Sequence, residues 1–158
     1  MVRQMGLQGL LGISDVFENV HARCKRDLIS ILADKASQKT GITASDIEAA
    51  LIDRERLGST GIGSGVAIPH GKIENLPDVT AILVRLDTPI DFDAIDGEPI
   101  DLAVLLLAPE NATAAHLKAL AKVTRLLRDS SVREALRGAE TAEAIFAITQ
   151  QDQHSNAA

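Results

Sequence analysis

A chain of 158 residues, 46% of them apolar, is long enough to bury one hydrophobic core and short enough to need only one. With three phenylalanines and neither tryptophan nor tyrosine, that core must be built from Leu, Ile, Val and Ala, and no broad aromatic platform is left for stacking bases or sugars. A formal charge of −6 gives no basic footprint for nucleic acid or an anionic membrane, and a single cysteine, Cys24, excludes an internal disulfide and points to a reducing compartment.

Residues 1–12 mix one arginine with scattered apolar residues, too short and too mixed for a signal peptide or a membrane span. An irregular lead-in follows, with one short strand expected near Phe17 to Ala22. His21 and Cys24 read as packing or surface residues, because no second Cys and no His at metal spacing accompanies them. From Lys25 to Thr40, Leu28, Ile29, Leu32 and Ala36 recur at helical spacing, and Gly41 stands where a helix ends. A second helix opens at Thr43 with Asp46 three residues on, and its stripe of Ile47, Ala50 and Leu51 extends to Arg54, while Glu55 and Arg56 point elsewhere. Gly58 ends it. Two readings of Arg54 stand at this point: a guanidinium fork aimed at a phosphate, or a stem buried with its head in water.

The stretch from Gly58 to Lys72, GSTGIGSGVAIPHGK, holds four glycines within eight residues. Such a backbone turns tightly and presents N–H groups, as oxyanion cradles do. Val66, Ala67 and Ile68 predict a brief buried strand that Pro69 ends, which leaves His70 just off a strand end with Gly71 clearing space beside its ring. The spacing does not fit a P-loop, since five residues separate Gly65 from Gly71 and Ile73 stands where a hydroxyl would meet magnesium. Nor does it fit a dinucleotide fingerprint, because the glycines lead into a strand instead of following one. A histidine beside a backbone nest and a glycine-rich turn with a surface histidine both remain open.

Lys72 to Asp78 reads as a polar turn and Val79 to Leu86 as a strand, broken by Thr88-Pro89. Ile90, Phe92 and Ala94 alternate with aspartates, placing Asp91 and Asp93 on one solvated strand face, and Asp96-Gly97 is a hairpin signal. Ile100 to Ala108 is apolar at almost every position, as in a strand covered on both faces. After Pro109, Asn111 or Thr113 is placed to cap a helix over about Ala114 to Arg128 with Leu117, Leu120, Ala121, Thr124 and Leu127 inward. His116 falls in its first turn, where the dipole favours a neutral ring able to donate one hydrogen bond; a helix-surface histidine is the other reading. Ser131 with Glu134 opens a short helix stopping before Gly138, and Thr141 opens the last, carrying Ala144, Ile145 and Ile148. Residues 150–158, with His154, are polar and small, which predicts disorder. The whole pattern predicts one α/β domain, a mixed sheet of about five strands with one hairpin, flanked by helices on both faces.

The run RERLGSTGIG from Arg54 to Gly63, continuing into VAIPHGK from Val66 to Lys72, closely resembles the enzyme IIA proteins of the bacterial phosphotransferase system. The likeness is to their fructose/mannitol superfamily and most of all its nitrogen-type branch. It takes in PIDFDAIDG from Pro89 to Gly97 and His116-Leu117 with Leu120-Ala121, over about residues 10–150. The resemblance implies the same fold, a type 2 enzyme IIA domain over residues 1–150 with a disordered tail at 151–158, and a cytoplasmic phosphocarrier. By the same resemblance, His70 accepts a phosphoryl group from a histidine-phosphorylated, HPr/NPr-like carrier, with His116 as the second active-site histidine and Arg54 stabilising the phosphate. Gly58, Ser59, Thr60, Gly61, Gly63 and Gly65 would form the cradle, without metal or cofactor. Apolar residues ring the family's site for carrier docking, and Ile62, Val66 and Ile73 are the candidates here. Regulated targets in the family suggest a potassium transporter or a sensor kinase. A sugar-specific IIA passing phosphate to an enzyme IIB, and a pure binding module, are the alternatives; the chain has no IIB-like cysteine segment or membrane-spanning run, which favours regulation.

Overall fold

The computed structural model describes residues 6–151. The expected tail, with His154, lies outside the described residues apart from Gln150 and Gln151. In chain order, a turn of 3₁₀ helix at Ile13–Asp15 leads into β1 (Val16–Val20), α1 (Lys25–Thr40), α2 (Ala44–Glu55), β2 (Gly61–Gly63), β3 (Val66–Ala67), β4 (His70–Ile73), β5 (Thr80–Ile90), β6 (Ile100–Pro109), α3 (Thr113–Arg128), α4 (Ser130–Gly138) and α5 (Ala142–Thr149). The sheet has six strands in the order β1-β5-β6-β3-β2, and β4 lies along β6 beyond β3. It is mixed: β5 and β6 form one antiparallel hairpin and β2 and β3 a second, where a single hairpin was expected, whereas β3 and β4 both run parallel to β6.

Alternation along the two long strands divides the core into two layers. Ile82 and Val84 of β5, with Ala103, Leu105 and Leu107 of β6, pack under Leu28, Leu32, Ile47 and Leu51 of α1 and α2. Ala81 and Leu83, with Leu102, Val104 and Leu106, pack under α3, α4 and α5 through Val123, Leu126, Leu136 and Ile145. Both faces of β6 are therefore covered, which is why its sequence is apolar without alternation.

Several local expectations are corrected. Pro69 interrupts a strand but does not end it: its carbonyl accepts from Leu106 N–H, and His70 to Ile73 continue the ladder against Leu106 to Pro109. His70 thus opens a strand, and the polar turn begins only after Ile73. Thr88-Pro89 does not break β5, because the irregularity between Arg85 and Ile90 lets the strand pass the proline without a ladder N–H. Asp91 and Asp93 lie past the strand. Asp93, at φ 55, donates its N–H to Asp91 Oδ1 in a side-chain turn. The first strand is also two residues shorter at its end than expected.

Helix ends differ in their partners. The Thr43 hydroxyl donates to Asp46 Oδ2 instead of accepting from the helix. Asp129, not Ser131, caps α4, accepting from Ser131 N–H, and α4 includes Gly138. Neither Asn111 nor Thr113 caps α3: Ala112 holds the cap position and Thr113 is the first helical residue. The buried face of α3 is His116, Ala119, Val123, Leu126 and Leu127, so the expected face is rotated by about one residue, roughly 100°. Leu117 is 62% exposed.

Candidate active site

His70 is set by its strand. Gly71 and Ile73 turn toward α2, where a Cβ on Gly71 would already meet Ala50 at 3.5 Å, so His70 and Lys72 turn to the opposite side by the two-residue period. The His70 ring has two fixed neighbours. Its Nδ1 lies 2.8 Å from the Ile68 carbonyl oxygen, which only accepts, and its Nε2 lies 3.3 Å from Arg54 Nε, which only donates. One tautomer satisfies both: the proton is on Nδ1 and the lone pair on Nε2. Burial holds the ring's pKa below the ordinary imidazole value; the Ile68 hydrogen bond and Glu55 oppose that shift, and Arg54 adds to it.

Arg54 reaches the site from the last turn of α2, with Nη1 donating to Gly58 O at 2.8 Å. His116 comes from the first turn of α3, on the opposite face of the sheet, and its ring meets that of His70 edge-on with centroids 5.5 Å apart. It is 7% exposed, and its Nε2 is buried with no hydrogen-bond partner among the described residues. Its pKa is also lowered, by burial first and then by His70 and Lys72. Lys72 Nζ donates to Thr113 Oγ1 at 3.0 Å, three residues before His116 and so on the same helix face. The structure therefore gathers Arg54, His70, His116 and, unforeseen, Lys72 at one sheet edge.

It does not gather the six cradle residues. Gly58 stays with Arg54, but Thr60 N–H is taken by Glu55 and Gly61 N–H by Ser59 Oγ, while the Ser59 hydroxyl donates to Phe92 O. Ser64 (φ 58) and Gly65 (φ 79) make the tight turn between β2 and β3. That turn sits at the level of Asp101 and Leu102, whereas His70 pairs with Leu106. Four to five residues of strand, about 13–17 Å, separate Gly65 from the histidine, so Gly63 and Gly65 serve the hairpin instead. Of the three apolar candidates, Val66 and Ile73 are buried in the core and only Ile62 is exposed. Leu57 and Leu117, close to Arg54 and His116 in the chain, are among the large apolar side chains left in solvent, with Ile13, Ile62 and Ile95.

Glu55 was expected to point elsewhere, yet its side chain is only 7% exposed. It accepts from Thr60 N–H at 3.0 Å and from the Thr60 hydroxyl, and it pairs with Lys25 Nζ at 2.9 Å. A signal was present in the sequence: an acid in the last turn of a helix opposes the dipole there, so it needs a specific cation or donor to hold it.

The chain has relatives in several bacteria. A nitrogen regulatory protein of Bradyrhizobium diazoefficiens is 42% identical over 144 residues, which cover 91% of this chain and 94% of that protein. One of Escherichia coli is 38% identical over 130 residues, covering 82% and 80%. The crystal structure of nitrogen regulatory protein IIA-Ntr from Neisseria meningitidis superposes with a TM-score of 0.84 at 36% identity, over 89% of this chain and 96% of that one. Residues 10–152 match the family described as "Phosphoenolpyruvate-dependent sugar phosphotransferase system, EIIA 2", and with nearly the whole chain inside that match, the protein belongs to this family.

Proposed function

We propose that this protein is a regulatory phosphocarrier that takes a phosphoryl group on Nε2 of His70 from a histidine-phosphorylated, HPr/NPr-like carrier. The observation that carries this reading is the fixed tautomer of His70, which keeps a lone pair on Nε2 beside a guanidinium and a second neutral histidine. The donor ring has one nitrogen bonded to phosphorus and the other protonated. As the Nε2–P bond forms, the donor's P–N bond breaks and its electron pair returns to the donor nitrogen, which leaves as neutral imidazole. His70 keeps its Nδ1 proton against Ile68, so the positive charge passes from the donor ring to the His70 ring.

Arg54 has to give up Nε2 for this attack. Its fork then meets the phosphoryl oxygens, and His116 donates to another of them. The family membership supports a docking carrier, and Leu57 and Leu117 offer it apolar contacts beside the two site helices. Incubation with phosphoenolpyruvate, enzyme I and the histidine carrier should add one acid-labile, alkali-stable phosphoryl group. Peptide mapping should place it on His70, and label that survived in His70→Ala would overturn the assignment.

The names of the relatives support a nitrogen-linked regulatory role, and the proposal extends it to potassium, with a potassium transporter or a sensor kinase as the kind of target. Among the described residues no helix is long and apolar enough to cross a membrane. A sugar-specific IIA subunit is separated from this reading by partner exchange, argued below.

A further inference from the structure

We infer that Glu55 is the residue that orients His70, acting through a continuous chain of hydrogen bonds that runs from Lys25 to the imidazole. Lys25 Nζ holds the Glu55 carboxylate at 2.9 Å, and that carboxylate accepts from both the N–H and the hydroxyl of Thr60. The Thr60 carbonyl accepts from Ile68 N–H at 2.9 Å. The Ile68 carbonyl in turn accepts from His70 Nδ1–H at 2.8 Å. No link is open. The strand carrying the histidine is thus tied, across β2, to a buried acid at the end of α2.

The relay transmits position, not charge through bonds, because the N–H and C=O of Thr60 and of Ile68 belong to different peptide units. It decides where the Ile68 oxygen stands, and that oxygen decides which ring nitrogen is protonated and which way the Nε2 lone pair faces. The same carboxylate also sets the neighbouring fork: Glu55 clamps Thr60, the loop before it includes Gly58, and Gly58 O orients the Arg54 guanidinium. Resting on the reading of His70 as phosphoryl acceptor, the inference gives the carboxylate a second part. A negative group near the ring favours the positive charge the ring gains as the new P–N bond forms. Glu55 touches neither substrate nor reacting atom and is a positioning residue. Lys25 holds the acid in place, with its own ammonium 4.8 Å from the centre of the Phe92 ring.

The experiment compares wild type, Glu55→Gln and Glu55→Ala by ¹⁵N NMR of the histidine rings in the unphosphorylated protein and by single-turnover transfer from phosphorylated carrier. Wild type should show His70 as the Nδ1–H tautomer alone. Glu55→Ala should populate the Nε2–H tautomer and slow transfer by about 10–100-fold, the range for partners that orient a histidine, with carrier affinity unchanged. Glu55→Gln, which keeps an acceptor oxygen but no charge, should fall between. A wild-type tautomer and rate in Glu55→Ala would overturn the inference. Should that variant fail to fold, Thr60→Val, which at nearly constant shape removes the hydroxyl's bond to Glu55 and leaves the backbone N–H bond, must shift the tautomer in the same direction by a smaller amount, and an unshifted ring there overturns it equally. If wild type itself took no label on His70, the phosphocarrier reading would fall, while the tautomer measurement would still decide the relay.

Discussion

The proton on His70 sits at Nδ1 because its neighbours leave it no other place: a carbonyl oxygen cannot donate and a guanidinium cannot accept. Burial keeps the ring neutral below the ordinary imidazole pKa. Phosphoryl acceptance should therefore stay flat from about pH 8 down to about 6.5 and fall only below that. A rapid-quench pH series with prephosphorylated carrier measures this, and a break at higher pH would contradict a buried neutral ring. The same depression acts on stability. Between the folded pKa values of His70 and His116 and the unfolded value of about 6.5, the unfolded chain binds more protons, so stability rises with pH through that window and levels off above it. Urea midpoints should be lower at about pH 5.5 than at about pH 7.5, and a His70→Gln, His116→Gln double variant should lose part of the difference. For transfer, His116→Ala should still accept phosphate, but slowly, by on the order of 10²–10³. Arg54→Lys should also be impaired, since an ammonium cannot reproduce the planar fork; wild-type rates in both would relegate them to structure. His70, Arg54 and His116 were legible because strand punctuation, helical spacing and the resemblance converge on them. Glu55 carried only the signal of an acid at a helix end, and its partners were not legible, because Lys25 and Thr60 come from another helix and from beyond a turn.

At the scale of elements, α3 is instructive. Two overlapping stripes, Leu117-Leu120-Ala121-Thr124 and His116-Ala119-Val123-Leu126, both satisfy the helical period, so spacing alone does not choose between them. Docking against β6 chose the second, which buries His116 beside His70 and leaves Leu117 in solvent. Gly61 shows a different constraint: a Cβ built there lies 2.8 Å from Ala94 Cβ and 2.9 Å from its Cα. Backbone cannot yield as a side-chain tip does, so Gly61→Ala should destabilise the fold by about 1–3 kcal/mol in chemical denaturation. An unchanged midpoint would mean that the segment around Ala94 shifts freely. The glycines of this loop were expected to cradle an anion, but the amides of Thr60, Gly61 and Ser64 are already bonded to Glu55, Ser59 and Asp96.

For the whole molecule, the site exists only because two helices on opposite sheet faces meet at the β4 edge. Phosphorylation would place roughly −1.5 to −2 charges there, compensated in part by Arg54 and Lys72. A target docking over His70 with apolar or acidic groups must desolvate or repel that charge, and a like-charge juxtaposition costs several kcal/mol. A differential of about 1.4 kcal/mol already changes affinity tenfold, so signalling needs no large rearrangement. Pull-downs with wild type, His70→Ala and His70→Asp should recover different partners. Equal affinity of every recovered partner for phosphorylated and unphosphorylated protein would sink the regulatory role and favour a sugar-transport subunit.

By itself the sequence determined the class of fold, most helix spans and the three residues around which chemistry is proposed. Periodicity, prolines, glycines and the run of apolar residues in β6 act locally, and they survive without knowledge of neighbours. Tertiary structure alone decided which face of α3 is buried, that Pro69 interrupts a ladder that resumes at His70, and which loop amides are already spent on side chains. Each of these depends on groups far apart in the chain, where the competing local choices have nearly equal energy and only packing separates them.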